Sequence, residues 1–530
     1  MPTLLLLIGY PIFWLELYGI GNTPGNTTPL AWLIFIFLAG MILREQRLSL
    51  ILGLQTLSHE WSKLNQSQKI YFLIGGSISL FILGCALWAS LLPPHLSQES
   101  DVLVYHLTIP RQHLILGSFQ HIPWSTTDLF YLPVDFALTP YWLATTLPNK
   151  WPQFLFFLGL LAIATRLVGK FSQEDFTSKI WIIYAILGSH NVGIQAGTAM
   201  LDITICYLFF AALDSFLSRM YGLAALELAF CMWSKPFIPL QFAATLLVMI
   251  VLYFVLKSAG FKNAIWDFHS SNKIINPSIG TKIRKISIYF FLLSLVIGGP
   301  FVLKSLYYTG SPLFPLMTGK FMINPSIDQN SLAWHSINDR AQQLLAIKDA
   351  YGSGRSFKDF IEHFWFIAVP ENGVNNRYDY PVGLIYLLCL GPFIYKFANT
   401  LRRKEFALLP WFIVVSWGLW WMGSQQTRFL FIPIILMFMM VFSLQEFRSR
   451  TLLLIIILSL MLTSLSVFRA HKTDFGKWGY DAVRAQDKTL LEMGKKKTDQ
   501  EIVSLNVIEA AYANFPVKIV SPKSVSVLSY

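Results

Sequence analysis

The sequence is short of charge. Asp, Glu, Lys and Arg make up 13% of its 530 residues, about half of the roughly 25% usual in soluble domains. A chain of this length built for water would divide into several domains joined by polar linkers, and that arrangement is excluded. Cysteine is scarce too. Cys85, Cys206, Cys231 and Cys389 all lie inside apolar runs and none shows metal-ligand spacing, which excludes a disulfide framework and a zinc site. There is no G-x-x-x-x-G-K-[ST] phosphate loop and no G-x-S-x-G elbow, so neither an ATP motor nor an α/β-hydrolase is encoded. The start, Met1-Pro2-Thr3, lacks a basic n-region and no small-residue cleavage site follows, so the first apolar run reads as a retained span rather than a signal peptide.

What the sequence has is apolar length. Hydrophobic types supply 54% of it, and apolar runs recur from Thr3 to Val467. A helix needs about 20 such residues to cross a bilayer. The expectation is an all-α polytopic membrane protein of about 13 transmembrane helices. The candidate spans are 3–21, 28–43, 70–92, 152–169, 178–192, 197–217, 221–235, 236–256, 285–303, 382–398, 406–422, 428–445 and 452–467. The formal charge is 41 − 29 = +12. In a soluble protein that would raise nucleic acid as a partner; here the Lys and Arg occupy short loops, where they set topology and no nucleic acid is expected. Lys257, Lys262, Lys273, Lys282, Arg284 and Lys285 face a single Asp267 in 257–285, and Lys396, Arg402, Arg403 and Lys404 crowd 396–405. Arg448, Arg450, Arg44 and Arg47 join them on the same side if thirteen spans are counted. That side is the cytoplasm by the positive-inside rule. The N-terminus is then cytoplasmic, and the C-terminus extracytoplasmic.

Two long segments, 93–151 and 304–381, then lie outside, with the tail 468–530. Loops this long are usually functional or disordered, and the chemistry is expected on that face. The stretch 134–147 is apolar but short and bounded by Pro133 and Pro148. Counting it as a span would turn every later basic loop outward. It is therefore expected to lie in the membrane interface, with Tyr141 and Trp142 at headgroup level.

The first outer segment gathers Glu99, Asp101, Tyr105, His106, Arg111 and His113 just after a span. A carboxylate beside an apolar bundle can act as a general base or a metal ligand; alternatively Asp101 is the N-cap of a helix over 102–109. Asp202 is ionisable at membrane depth, which points to function or to a buried structural hydrogen bond. Lys235, in W-S-K-P, either binds a lipid phosphate or snorkels to the headgroups. Arg428, after Gln425 and Gln426, runs against the charge bias and is expected to hold something anionic; Lys304 is the same kind of outlier. His335, Asp339 and His363 lack metal-like spacing and read as solvated. Lys495-Lys496-Lys497 reads as a solvated face, and the sequence assigns no role to Glu16.

In order along the chain, D-V-L-V-Y-H-L-T-I-P (101–110), the Pro-bounded segment 133–148, L-D-I-T-I-C-Y-L-F-F (201–210), W-S-K-P (233–236), P-F-V-L-K-S-L-Y-Y-T-G-S-P-L-F-P (300–315) and S-Q-Q-T-R-F-L-F-I-P (424–433) resemble the GT-C integral-membrane glycosyltransferases. The resemblance is to their bacterial lipid-linked, mannosyltransferase-like branch, which includes the aminoarabinose transferases. It covers roughly 100–435; residues 1–69 and 468–530 match nothing in it, so 70–467 is expected to be the catalytic module, 1–69 two extra spans with a loop, and 468–530 a small extracytoplasmic tail. It implies a sugar donor on a polyprenyl phosphate, with the tail in a groove of the bundle and the sugar at the outer face of what is expected to be a bacterial inner membrane. The family's outer carboxylate, as general base or acceptor-positioning group, carries over to Asp101 with Glu99 beside it, and its second acid to Asp202. Phosphate contacts carry over to Lys235 and Arg428, and more loosely to Lys304 and Arg111, with Tyr105, His106 and Gln426 lining the site. No metal ligand and no cofactor beyond the donor lipid is implied, and a divalent ion is left open. The acceptor, whether glycan, lipid or protein, is open too, but the protein mannosyltransferases carry two adjacent acids where Ser100 separates Glu99 from Asp101, which argues against transfer to protein Ser or Thr. Physically, displacing phosphate from an anomeric carbon needs an activated hydroxyl and a stabilised leaving group, which a carboxylate and cations supply. Two other readings compete. An O-antigen-type ligase or polymerase would use a diphosphate-linked oligosaccharide and need an Arg/His pair such as Arg340 and His363. A transporter would show internal repeats and mid-membrane charges; no repeat is found, and the ionisable residues cluster at one interface.

Overall fold

The computed structural model describes residues 2–18, 28–45, 58–59, 61–94, 99, 101–122, 125–143, 150–171, 176–235, 238–264, 279–324, 332–346, 351–369, 378, 381–443, 450–470, 503–505 and 517–519. They are predominantly helical. In chain order the helices are α1 (Thr3–Leu17), α2 (Thr28–Glu45), α3 (Gln66–Leu91), α4 (Thr108–Leu116), α5 (Pro133–Trp142), α6 (Trp151–Phe171), α7 (Phe176–Leu187), α8 (His190–Gln195), α9 (Asp202–Leu217) and α10 (Tyr221–Trp233). They continue as α11 (Ile238–Ser258), α12 (Ile279–Ile297), α13 (Gly299–Thr309), α14 (Leu332–Ala346), α15 (Phe357–Phe366), α16 (Leu384–Arg402), α17 (Leu408–Met422), α18 (Phe431–Phe442) and α19 (Arg450–Ala470). Two parallel strand pairs are added: β1 (Lys262–Ala264) with β2 (Glu405–Ala407), and β3 (Val503–Leu505) with β4 (Val517–Ile519). The run Lys495–Lys497 lies outside the described residues.

A helix underlies each expected span, though several of these helices are shorter than a full bilayer crossing among the described residues. Among the described residues, four helices are long and apolar enough to cross a membrane: Gln66–Leu91, Trp151–Phe171, Leu240–Ser258 and Leu384–Arg402, or five if Arg284–Ile297 and Gly299–Thr309 form one span bent by 54°. The bend sits at Gly298-Gly299-Pro300, where proline removes a backbone donor. The span expected over 178–192 breaks instead between α7 and α8, where His190 N–H bonds Val382 C=O at 2.8 Å. The span expected from 197 becomes helical only at Asp202; residues 196–201 are irregular but wholly buried. Irregular backbone is tolerated at depth when protein rather than lipid surrounds it.

The segment expected in the interface is α5, and all ten of its residues are buried. α1 and α2 pack across it. Gly9 of α1 lies so close that an added Cβ would fall 1.9 Å from the Ala137 carbonyl oxygen. Tyr141 meets the Trp32 ring edge-on at 5.1 Å, and Trp142 Nε1 donates to Gln153 Oε1 at 2.9 Å. Tyr141 and Trp142 are thus core residues rather than headgroup anchors.

β1 and β2 join two basic stretches: Lys262 pairs with Glu405, and Lys262 N–H donates to Lys404 C=O at 2.7 Å. The loops after α11 and α16 therefore meet on one face. α11 has 21 residues, about 30 Å at 1.5 Å per residue, and its other end follows Lys235.

Candidate functional site

Asp101 opens a single π-helical turn, Val102–His106, which closes with Leu107 N–H bonding Val102 C=O at 2.9 Å. Its backbone is already helical (φ −60°, ψ −37°) and its side chain caps nothing, so it is not an N-cap. Such turns are rare and recur at functional sites. Val102 and Leu103 point into the core while the Asp101 side chain stays 32% exposed. Arg428, on the short turn Thr427–Leu430 before α18, donates through Nη1 to Asp101 Oδ2 at 3.1 Å, and through Nε to Gln426 Oε1 at 2.7 Å. Close packing pushes the Asp101 pKa up, but the charges of Arg428, His106 and Lys235 outweigh that and hold it below the usual carboxylate range.

Asp202 is the first residue of α9, and Lys235 follows α10. Lys235 Nζ donates to Asp202 Oδ1 at 2.6 Å, while Asp202 Oδ2 is buried with no hydrogen-bond partner among the described residues. Phe429 lies between the two cations, its ring centre 5.7 Å from Lys235 Nζ and 5.5 Å from the Arg428 guanidinium. Asp202, Lys235 and Arg428 form the polar end of an open cleft. Its walls are apolar, including Phe209, Met232, Phe242, Phe412 and Ile432 from α9, α10, α11, α17 and α18. The cleft joins an end carrying two ion pairs, Lys235 with Asp202 and Arg428 with Asp101, to a hydrocarbon-like trough.

The other candidates lie elsewhere. Glu99 is fully buried: Oε2 accepts from Lys150 Nζ at 2.7 Å and Oε1 from Ala199 N–H at 2.6 Å. One carboxylate thus ties the loop carrying Asp101 to the stretch that ends at Asp202, and Glu99 is not among the residues lining the cleft. His106 is buried beneath the site with Nδ1 2.9 Å from Asp135 Oδ2, and its Nε2 has no hydrogen-bond partner among the described residues. Arg111 is buried on α4. Lys304, expected to hold a ligand's charge, is instead neutralised within the protein. Its Nζ lies 2.5 Å from Asp128 Oδ1 and 2.9 Å from His113 Nε2, over the Phe119 ring at 4.5 Å. Asp128 also takes the Ile122 N–H at 2.7 Å and faces His121 Nδ1 at 3.0 Å. Burial alone would raise the Asp128 pKa, but Lys304 and His113 with these bonds hold it well below the usual value.

The sequence reading missed Lys150, Asp135 and Asp128. Lys150 had a usable signal, because it is an outward Lys set against the charge bias, the argument that singled out Arg428. His363 is not solvated: it is fully buried, Nδ1 donates to Phe360 C=O, and Nε2 accepts from Trp417 Nε1 at 2.9 Å. Desolvation pushes its pKa down to about 4. Arg340 bonds Gln343 Oε1 at 3.1 Å instead of meeting His363. Among the described residues no three His, Cys, Asp or Glu side chains gather as a metal-ligand set, and the four cysteines are buried thiols.

Two solved structures are similar to the chain. The crystal structure of ArnT from Cupriavidus metallidurans bound to undecaprenyl phosphate is 12% identical, covers 86% of each chain and gives a TM-score of 0.47. The apo structure of the same protein is 12% identical over 85% of this chain and 86% of that one, with a TM-score of 0.34. No family model and no curated protein matches the sequence.

Proposed function

We propose that the protein is a membrane glycosyltransferase that moves a sugar from a polyprenyl-phosphate donor to a glycan, lipid or protein acceptor on the outer face of the membrane. The observation that carries this reading is the cleft whose ion-paired end, with Lys235 and Arg428, adjoins the Asp101 carboxylate while its walls are mainly apolar. The polyprenyl tail lies along the trough, and the phosphate takes Lys235 and Arg428, whose charges stabilise it as a leaving group. Asp101 accepts the proton of the acceptor hydroxyl as its oxygen attacks the anomeric carbon. The carbon–phosphate-oxygen bond breaks, its electron pair leaves on the phosphate, and in-line displacement inverts the anomeric centre.

The ion pairs suit this sequence. A carboxylate held at low pKa is a weak base. When the incoming phosphate draws Arg428 away, Asp101 loses its strongest counter-charge and becomes the better proton acceptor at that moment. Asp202 aims Lys235 into the cleft in the same way. Glu99, buried and doubly bonded, braces the two loops instead of reacting.

The test uses purified protein in nanodiscs with a panel of polyprenyl-phosphate sugars, undecaprenyl carriers included. Asp101→Asn is expected to abolish release of polyprenyl phosphate while the melting temperature stays within a few degrees. Near-wild-type turnover by that variant would remove Asp101 from the role of base.

A further inference from the structure

α15 has three faces. Phe360, His363 and Phe364 turn onto the outer end of α17: Phe360 meets Trp421 edge-on at 5.5 Å, Phe364 stacks on Trp417 at 6.0 Å, and His363 takes the Trp417 indole hydrogen bond. Lys358, Asp359 and Glu362 form a polar side, with Lys358 3.6 Å from Glu362 and Asp359 closing a capping box with Ser356. The third face carries Phe357, Ile361 and Trp365, each four residues from the next, and they are 80%, 55% and 57% exposed. Met422, the last residue of α17 under this helix, is 75% exposed. α15 thus packs against the end of an apolar helix whose last side chain is itself exposed. One apolar face, one polar face and a Trp at the boundary make up the pattern of a helix lying in the plane of a membrane interface.

The chain ahead of α15 is fastened to the loop that presents Arg428. Ser353 N–H donates to Gln425 Oε1 and Gln425 Nε2 to Gly354 C=O, both at 3.1 Å, and Arg355 Nη2 donates to Gly423 C=O at 2.7 Å. Gly352 (φ +94°) lies flush on Gln425, where an added Cβ would fall 1.6 Å from Oε1. Thr427 N–H in turn bonds Tyr378 C=O at 2.9 Å.

We propose that α15 is an interfacial helix whose Phe357, Ile361 and Trp365 face sits among the lipids of the bilayer surface, and that this contact steadies the Arg428 loop through residues 351–356. Exposed apolar side chains gain by leaving water, and the neighbouring end of α17 puts hydrocarbon within reach.

The first experiment places single cysteines at Ile361 and Lys358 of the full chain in nanodiscs. The four native cysteines are buried, so a spin label reads the new site. The label at 361 is expected to collide with lipid-dissolved oxygen and several-fold less with a water-soluble nickel complex than the label at 358. Equal access of the nickel complex to both would overturn the proposal. Shielding of 361 from both reagents would also overturn it, because protein, such as a second copy, would then cover the face. The second experiment measures hydrogen exchange in Ile361→Asp, a change at an exposed position. Several-fold faster exchange at the Ser353 and Thr427 amides is expected, and unchanged exchange would refute the steadying role. Neither readout depends on glycosyl transfer.

Discussion

A single buried ion pair sets the cost of error at the residue scale. Glu99 and Lys150 are 0% and 1% exposed. Removing one partner of such a pair leaves an uncompensated buried charge and costs about 3–5 kcal/mol. Glu99→Ala is expected to lower stability by that amount in thermal unfolding, and Glu99→Ala with Lys150→Ala to recover part of it. A single variant within 1 kcal/mol of wild type would mean that water reaches the pair. His363 gives a pH-dependent counterpart. Its folded pKa lies near 4, below the ordinary 6.5, so unfolded chains take up protons first as pH falls. The stability it contributes is complete above 6.5 and is lost on acidification towards 4, by at most about 3 kcal/mol. His363→Gln, which keeps an acceptor for Trp417, should flatten that part of the stability profile. The sequence made Asp101, Asp202, Lys235 and Arg428 visible because ionisable groups are rare among apolar residues. It hid their pairings, since Asp101 and Arg428 are 327 residues apart and Lys304 is 176 from Asp128. Lys304 looked free for a ligand only because its partner lay far off in the chain.

At the scale of the element, composition and burial part company. The 133–148 stretch was legible as a short helix, with proline at its first turn and no room to span a bilayer. An apolar helix of 10–14 residues suits either a membrane surface or a buried core, and its own residues do not choose. The choice is made by α1, whose Gly9 permits backbone contact with Ala137. Gly9→Ala should force α1 off α5 and destabilise the protein by about 1–3 kcal/mol, read as a lower melting temperature. The same substitution at Gly40, which has nothing within 4 Å, is the control and should have little effect. The breaks at Gly188 and before Asp202 were hidden for a related reason. Apolar composition continues through them, and only the tertiary bonds to Val382 and Glu99 show where the helix stops.

For the whole molecule, the proposed orientation rests on one helix rather than on the number of spans. α11 begins just after Lys235, in the polar end of the cleft, and ends at Ser258, with Lys257 in its last turn, a few residues before the strand pair β1 and β2. Its length of about 30 Å matches the hydrocarbon core, so the cleft and the basic loops lie on opposite faces. Lys and Arg in short loops favour the cytoplasm, so the function proposed above requires Asp101, Arg428 and α15 to lie on the outer face. Impermeant maleimide applied to intact cells, or to spheroplasts if an outer membrane shields them, should therefore modify Lys358→Cys, on the polar side of α15, directly and Arg402→Cys only after the membrane is opened. Both side chains are exposed and the native cysteines are buried, so each signal belongs to one site. The reverse pattern would move the cleft to the cytoplasmic face, where a soluble activated sugar could serve as donor and the apolar trough would lose its reason for being beside the phosphate-binding cations.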